Sequence, residues 1–114
     1  MADSPARTGD DAGTAARHIE SQRAFEDLLA TEETVLVDFY ADWCGPCQMM
    51  ASTVDELAAE EDTAVAKVDV DELSPVAAEH EVRSIPAFVV FEDGEPNDRL
   101  IGMQEKDDLR AAIE

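Results

Sequence analysis

Only two cysteines occur in the 114 residues, at Cys44 and Cys47. That excludes a small scaffold stapled by disulfides. One bridge across so short a loop constrains an unfolded chain very little, and a chain that is 45% hydrophobic does not need it in order to fold. Basic residues are scarce too: eight Lys and Arg stand against 28 Asp and Glu, a net charge of -20. So acidic a surface disfavours nucleic acid and anionic membranes as partners. No apolar run is long enough to cross a bilayer. Residues 1–16 lack the apolar stretch of a signal peptide. Their richness in Ala, Asp, Gly and Thr predicts a disordered acidic tail, which leaves one domain over residues 17–114. A cytoplasmic protein is expected. The acidic residues are spread along the chain instead of gathered in a tail, which points to a protein suited to a high-salt interior, where counterions screen self-repulsion. A well-solvated surface is the plainer alternative.

What the chain does contain is an alternation of apolar runs and amphipathic stretches. Arg17 to Ile19 reads as a short strand. Ser21 is placed to cap a helix whose inner face carries Phe25, Leu28 and Leu29. Thr34 to Tyr40 is almost continuously apolar, as in a central strand buried on both faces. A long helix is predicted from about Cys44 to Glu60, with Met50, Val54 and Leu57 inward. A strand follows at Ala64 to Val70, then a short helix capped by Ser74 with Pro75 first inside it. Ala87 to Phe91 is a fourth strand, Asp93-Gly94 a turn, and Arg99 to Ile101 a short fifth strand that Gly102 ends. A last helix runs from about Lys106, with Leu109 and Ile113 inward. The order β-α-β-α-β-α-β-β-α predicts an α/β domain with a mixed sheet covered by helices on both faces.

Trp43-Cys44-Gly45-Pro46-Cys47 sits where the central strand passes into the long helix. Two residues between cysteines let both sulfurs meet across one helical turn, a placement suited to redox chemistry. The other reading is half a zinc site, which needs two more ligands; only His18 and His80 are available, far apart in sequence. Pro46 has no N–H to lose and presets φ for a helix start, and with Gly45 it shapes the loop. Asp38 lies in the middle of the apolar strand, on the face of Leu36 and Tyr40. A buried carboxylate there needs a partner or must be neutral; the alternative is a surface position on an amphipathic strand. Lys67 is read either as its partner or as an ordinary solvated lysine. Ile85-Pro86 stands just before a strand, where proline is common.

These motifs resemble those of the thioredoxin family. The active-site signature Trp43-Cys44-Gly45-Pro46-Cys47 matches it letter for letter, and the likeness continues through Val37-Asp38-Phe39, Ala66-Lys67-Val68-Asp69, Arg83-Ser84-Ile85-Pro86, Asp93-Gly94 and Gly102. It runs from about Ile19 to the end of the chain. The resemblance implies a thioredoxin fold and a thiol-disulfide oxidoreductase. Cys44, at a helix N-terminus that favours a thiolate, is the expected nucleophile; thioredoxins are themselves a standard example of a thiol activated in this way. Cys47, one turn deeper and less exposed, is expected to resolve the mixed disulfide. Asp38 becomes the buried acid or base that moves a proton to or from Cys47, its pKa raised by desolvation, with Lys67 beside it. Pro86 becomes a cis-proline facing Cys44, where the Ile85 backbone pairs with an extended client segment. Trp43 offers a flat apolar contact, and Gly102 lets a client backbone approach.

The resemblance further implies disulfide-containing client proteins and a separate thioredoxin reductase as partners, no bound cofactor, and a monomer. A Gly-Pro pair between the cysteines goes with reducing members of the family. Three positions depart from its pattern: Ser52 stands where a helix-kinking proline is frequent, Ala87 where threonine is usual, and Gln48 where many members have lysine. Two rival functions remain at this stage: a thioredoxin-fold binding or chaperone module, and a disulfide oxidant or isomerase.

Overall fold

The computed structural model describes residues 16–114. Apart from Ala16, the expected tail over residues 1–16 lies outside the described residues. The domain contains β1 (Arg17–His18), α1 (Gln22–Thr31), β2 (Thr34–Tyr40), α2 (Gly45–Glu60), β3 (Ala64–Asp69), α3 (Ser74–Glu79), β4 (Ala87–Glu92), β5 (Glu95–Ile101) and α4 (Lys106–Ile113). The strands form one five-stranded sheet in the order β1-β3-β2-β4-β5. β1 and β2 pair parallel with β3, while β4 runs antiparallel to both β2 and β5. This is the mixed sheet that the element order predicts, and β2 is its central strand.

Period-two alternation along β2 divides the core. Val35, Val37 and Phe39 face α1 and α3, where Phe25, Leu28 and Val76 complete one apolar layer. Leu36 faces the other way, into a layer with Met50, Val54 and Leu57 of α2 and Leu109 and Ile113 of α4. Asp38 has the parity of Leu36, so its carboxylate lies on the α2 face of the sheet. Both layers are closed by helices, which is why the strand tolerates no solvent-facing residue along its middle.

At α3 and β5 the boundaries differ from the sequence reading. α3 begins one residue early: Ser74 is its first helical residue, Leu73 occupies the cap, and no side chain caps the end. The backbone carbonyl of Leu73 instead accepts the Val76 and Ala77 N–H groups. β5 is longer than Arg99–Ile101, because Glu95 to Asp98 also pair with β4 around a bulge at Val90/Phe91. An edge strand needs only one ladder of hydrogen bonds, so Pro96 and a run of polar residues fit there. Asp93 and Gly94, at φ 52° and 85°, turn β4 into β5, the left-handed pair that a two-residue hairpin requires.

α2 and α4 are joined at the surface by ion pairs. Lys106 Nζ lies 2.8 Å from Glu60 and 3.2 Å from Glu56, and Arg110 bridges Glu61 at 2.9 Å and Asp107 at 2.7 Å while also reaching Glu60. Two of the chain's few cations thus gather four carboxylates and hold the last helix over the helix that carries the cysteines.

Candidate active site

The end of β2 and the start of α2 place the cysteines. Ala41 turns the chain out of the sheet, and Cys44 is the N-cap of α2, with Gly45 and Pro46 opening the helix. The structure holds Cys44 and Cys47 as a disulfide with Cα atoms 5.3 Å apart. The backbone N–H of Cys47 donates to Cys44 Sγ at 3.2 Å, so an amide of the first helical turn already points at that sulfur. The expected difference in burial between the cysteines is absent: Cys44 is 4% exposed and Cys47 6%. Both cysteines share a small cluster with Ala41 against which Ile85 packs, but Cys44 Sγ lies toward the Ile85 carbonyl, whereas Cys47 borders a cleft of about 320 Å³ shared with Tyr40, Asp42, Gln48, Ala51 and Lys67. The two sulfurs are therefore separated by what they face, not by depth.

Opposite Cys44 stands the loop between α3 and β4. The Ile85–Pro86 peptide bond is cis, and the Ile85 carbonyl oxygen lies 3.9 Å from Cys44 Sγ. Gly102, at φ 87°, donates its N–H to the Pro86 carbonyl at 2.8 Å. That φ is why a side chain would be strained at this position. A Cβ on Gly45, by contrast, would meet nothing within 4 Å, so the fold itself does not require glycine there. Trp43 is 71% exposed beside the disulfide, and its indole N–H donates to Asp71 at 2.8 Å.

Asp38 is 2% exposed, and its Oδ1 is buried without a hydrogen-bond partner. Burial pushes its pKa up to about 7; the charge of Lys67 pulls the other way, and that of Asp55 adds to the rise. Lys67 is opposite Asp38 in the β2–β3 register, yet it acts through space. Its ammonium sits 4.7 Å from the centroid of the Tyr40 ring, and no ion pair joins it to Asp38 among the described residues. The surface reading of Asp38 is thereby ruled out, and its pairing with Lys67 is electrostatic. The Tyr40 hydroxyl is pushed up to about 12 by burial, with Asp69, Asp42, Glu72 and Asp38 adding to the rise.

The two histidines lie in different surroundings. His18 meets Glu72 at 3.2 Å. The His80 ring packs edge-on to Phe25 and Phe91, and burial lowers its pKa. Among the described residues no group of three or more His, Cys, Asp or Glu is placed to hold a metal ion.

The sequence reading missed four features. Asp71 is the partner of Trp43, and Asp69 is a second buried carboxylate, 8% exposed. Gln48 donates to the Asp42 carbonyl, closing the loop around the cysteines. Met103, 51% exposed, follows Gly102 at the rim. None of the four stands out in the sequence: an aspartate at a strand end can accept backbone N–H groups two and three residues on, but Asp69 is one acidic residue among 28.

Comparison with known proteins gives one answer. Residues 16–114 match the family model described as thioredoxin. A thioredoxin of Mycoplasmoides gallisepticum is 39% identical over 98 residues, 85% of this chain and 98% of its own length. One from Staphylococcus saprophyticus is 51% identical over 81 residues, 69% of this chain and 78% of its own. Among solved structures, a variant thioredoxin from Halobacterium salinarum superimposes with a TM-score of 0.85 at 41% identity, over 90% of both chains. The oxidised form of mitochondrial thioredoxin 3 from Saccharomyces cerevisiae gives 0.78 at 34% identity, over 90% of this chain and 96% of that one.

Proposed function

The chain belongs to the thioredoxin family and is a protein-disulfide reductase, and from that premise we propose how its residues divide the work. Cys44 thiolate attacks one sulfur of a client disulfide; a Cys44–client bond forms and the other client sulfur leaves as a thiolate. Cys47 then gives up its proton and attacks Cys44 Sγ. The mixed disulfide breaks, the second client thiol is released, and two electrons have passed to the client. The product is the Cys44–Cys47 disulfide present in the structure. Asp38 takes the Cys47 proton: its pKa of about 7 puts the group near equal populations of acid and base at neutral pH. Lys67 tunes that balance by its charge.

The single observation that carries this assignment is the Cys47 N–H donated to Cys44 Sγ at 3.2 Å, which stabilises negative charge on Cys44 in preference to Cys47. The client segment lies extended along Ile85 and Pro86, with Trp43, Gly45, Pro46 and Gly102 around it. A separate reductase returns the pair to the dithiol. The direction of electron flow is tested by equilibrating the Cys44–Cys47 couple with a glutathione redox buffer. The expected midpoint is more reducing than that of glutathione, the side of the scale on which thioredoxins are themselves a reference case. A clearly more oxidising midpoint would mean a disulfide-forming or isomerising role.

We further propose that the protein works in a salt-rich cytoplasm as a monomer. A reducing compartment keeps a dithiol of this kind available. The sheet edges support a monomer: β1 is two residues long, and β5 carries Pro96, charged side chains and a bulge, all of which blunt edge-to-edge pairing. The net charge of -20 supports the salt, since concentrated counterions screen the self-repulsion of so acidic a surface. The thermal midpoint is expected to rise by several degrees between dilute and molar potassium chloride, and a midpoint indifferent to salt would sink the proposal.

A further inference from the structure

We propose that Asp69 is a positioning residue for client reduction: its buried carboxylate orders the turn from which Asp71 fixes the indole of Trp43 beside the disulfide. The inference rests on the reading of Trp43 as client-contact surface.

Asp69 ends β3 opposite Tyr40. It is one of two buried charged residues among the described residues, Asp38 being the other. A buried carboxylate is costly unless hydrogen-bonded, and Asp69 is well supplied. Its Oδ1 accepts the Asp71 N–H at 2.8 Å and the Glu72 N–H at 3.3 Å. Its backbone carbonyl accepts the Leu73 N–H at 2.9 Å. Three successive amides therefore converge on one residue, which fixes the path of the turn.

That turn has two outward ties. On one side the Asp71 carboxylate accepts the Trp43 indole N–H at 2.8 Å. On the other, Glu72 meets His18 of the edge strand at 3.2 Å. Asp69, Asp71 and Glu72 place three carboxylates within four residues, and their mutual repulsion favours opening the turn. The amide bonds to Asp69 oppose that opening. Trp43 depends on the result: at 71% exposure little packing restrains its ring, so its hydrogen bond to Asp71 sets where the flat face lies. A ring already held in place gives up less side-chain entropy when a client docks.

Trp43 is the only tryptophan, so the indole can be read directly. In the oxidised full-length protein, Asp69→Ala is expected to speed exchange of the indole N–H proton by about tenfold, and Asp71→Ala is expected to do the same. The double variant should go no further than Asp71→Ala alone, because both substitutions cut the same link. Asp69→Asn keeps the acceptor oxygen and should restore the protected indole. Reduction of a disulfide-bonded protein should lose about fivefold in kcat/KM in Asp69→Ala, while reduction of a small aliphatic disulfide, too short to reach the indole, falls less. Should Asp69→Ala fail to fold, Asp69→Glu keeps the charge and shifts the acceptor by one methylene, and it too is expected to free the indole. Wild-type indole protection in whichever of the two folds overturns the inference. If Trp43→Ala reduces proteins at the wild-type rate, the client-surface reading fails and takes this inference with it. If Trp43→Ala is slow while the Asp69 variants keep a wild-type indole, the inference alone fails.

Discussion

Cys47→Ser is expected to halt turnover and leave the protein covalently joined to its client. With Cys44 free to attack and no second thiol to resolve the product, each molecule should accumulate as a one-to-one mixed disulfide that dithiothreitol releases. Steady-state reduction of a protein disulfide should fall by roughly 1000-fold or more. Cys44→Ser should be equally inactive and form no such adduct. The asymmetry follows from placement. Both sulfurs are almost equally buried, so exposure cannot choose between them. Cys44 faces the Ile85 carbonyl and receives the Cys47 amide, whereas Cys47 turns toward the cleft beside Lys67 and Tyr40. Gel analysis of the two variants with a disulfide-bonded client under non-reducing conditions distinguishes them. Trapping by Cys44→Ser in place of Cys47→Ser would reverse the assigned roles.

What the sequence made legible was whatever differed in kind from its surroundings. The run Val35 to Phe39 announced a central strand because nothing but a two-sided core accommodates it, and Asp38 stood out as the one charge inside that run. The cysteine pair was legible because no other cysteine competes with it. Contrast fails elsewhere. β5 is polar and its neighbours are polar, so its first residues from Glu95 carry no apolar contrast, and only their pairing with β4 marks them as strand. Asp69 and Asp71 are two of 28 acidic residues; nothing in their identity separates a buried carboxylate that gathers amides from a solvated one. Ser74 had the chemistry of a cap, but the Leu73 carbonyl begins α3 and leaves the hydroxyl without that task. The near-equal burial of the two cysteines is hidden for a related reason: depth along a helix follows from sequence, whereas the cover that Ile85 gives Cys44 comes from a loop some forty residues away.

Asp38→Asn is expected to make the protein more stable and slower, with both effects dependent on pH. The Asp38 carboxyl rises from 3.8 to about 7 on folding, chiefly because burial disfavours its charge. Between those values the native state holds a proton that the unfolded state has lost. Stability from this group is therefore complete below about pH 4, falls as pH rises toward 7, and stays at its lowest above that. At 1.36 kcal/mol per pH unit the full loss is about 4 kcal/mol. Asparagine carries no charge to bury, so at pH 8 the variant should be more stable by about 2–4 kcal/mol, less whatever its own amide costs where Oδ1 already lacks a partner. At pH 4 the advantage should vanish. Taking the variant-minus-wild-type difference across pH removes the contribution of the other carboxylates, which both proteins share. The same substitution removes the group proposed to accept the Cys47 proton, so client reduction should slow by roughly tenfold or more near neutrality, and the kcat/KM profile should lose its inflection near pH 7. Denaturant unfolding of both proteins from pH 4 to 8 is the decisive measurement. A difference that stays flat across that range would mean that Asp38 is not held near pH 7 in the native state, and the proton transfer assigned to it would have to pass elsewhere. A difference that grows with pH while the rate stays unchanged would leave Asp38 as a buried charge that destabilises the fold without serving the exchange.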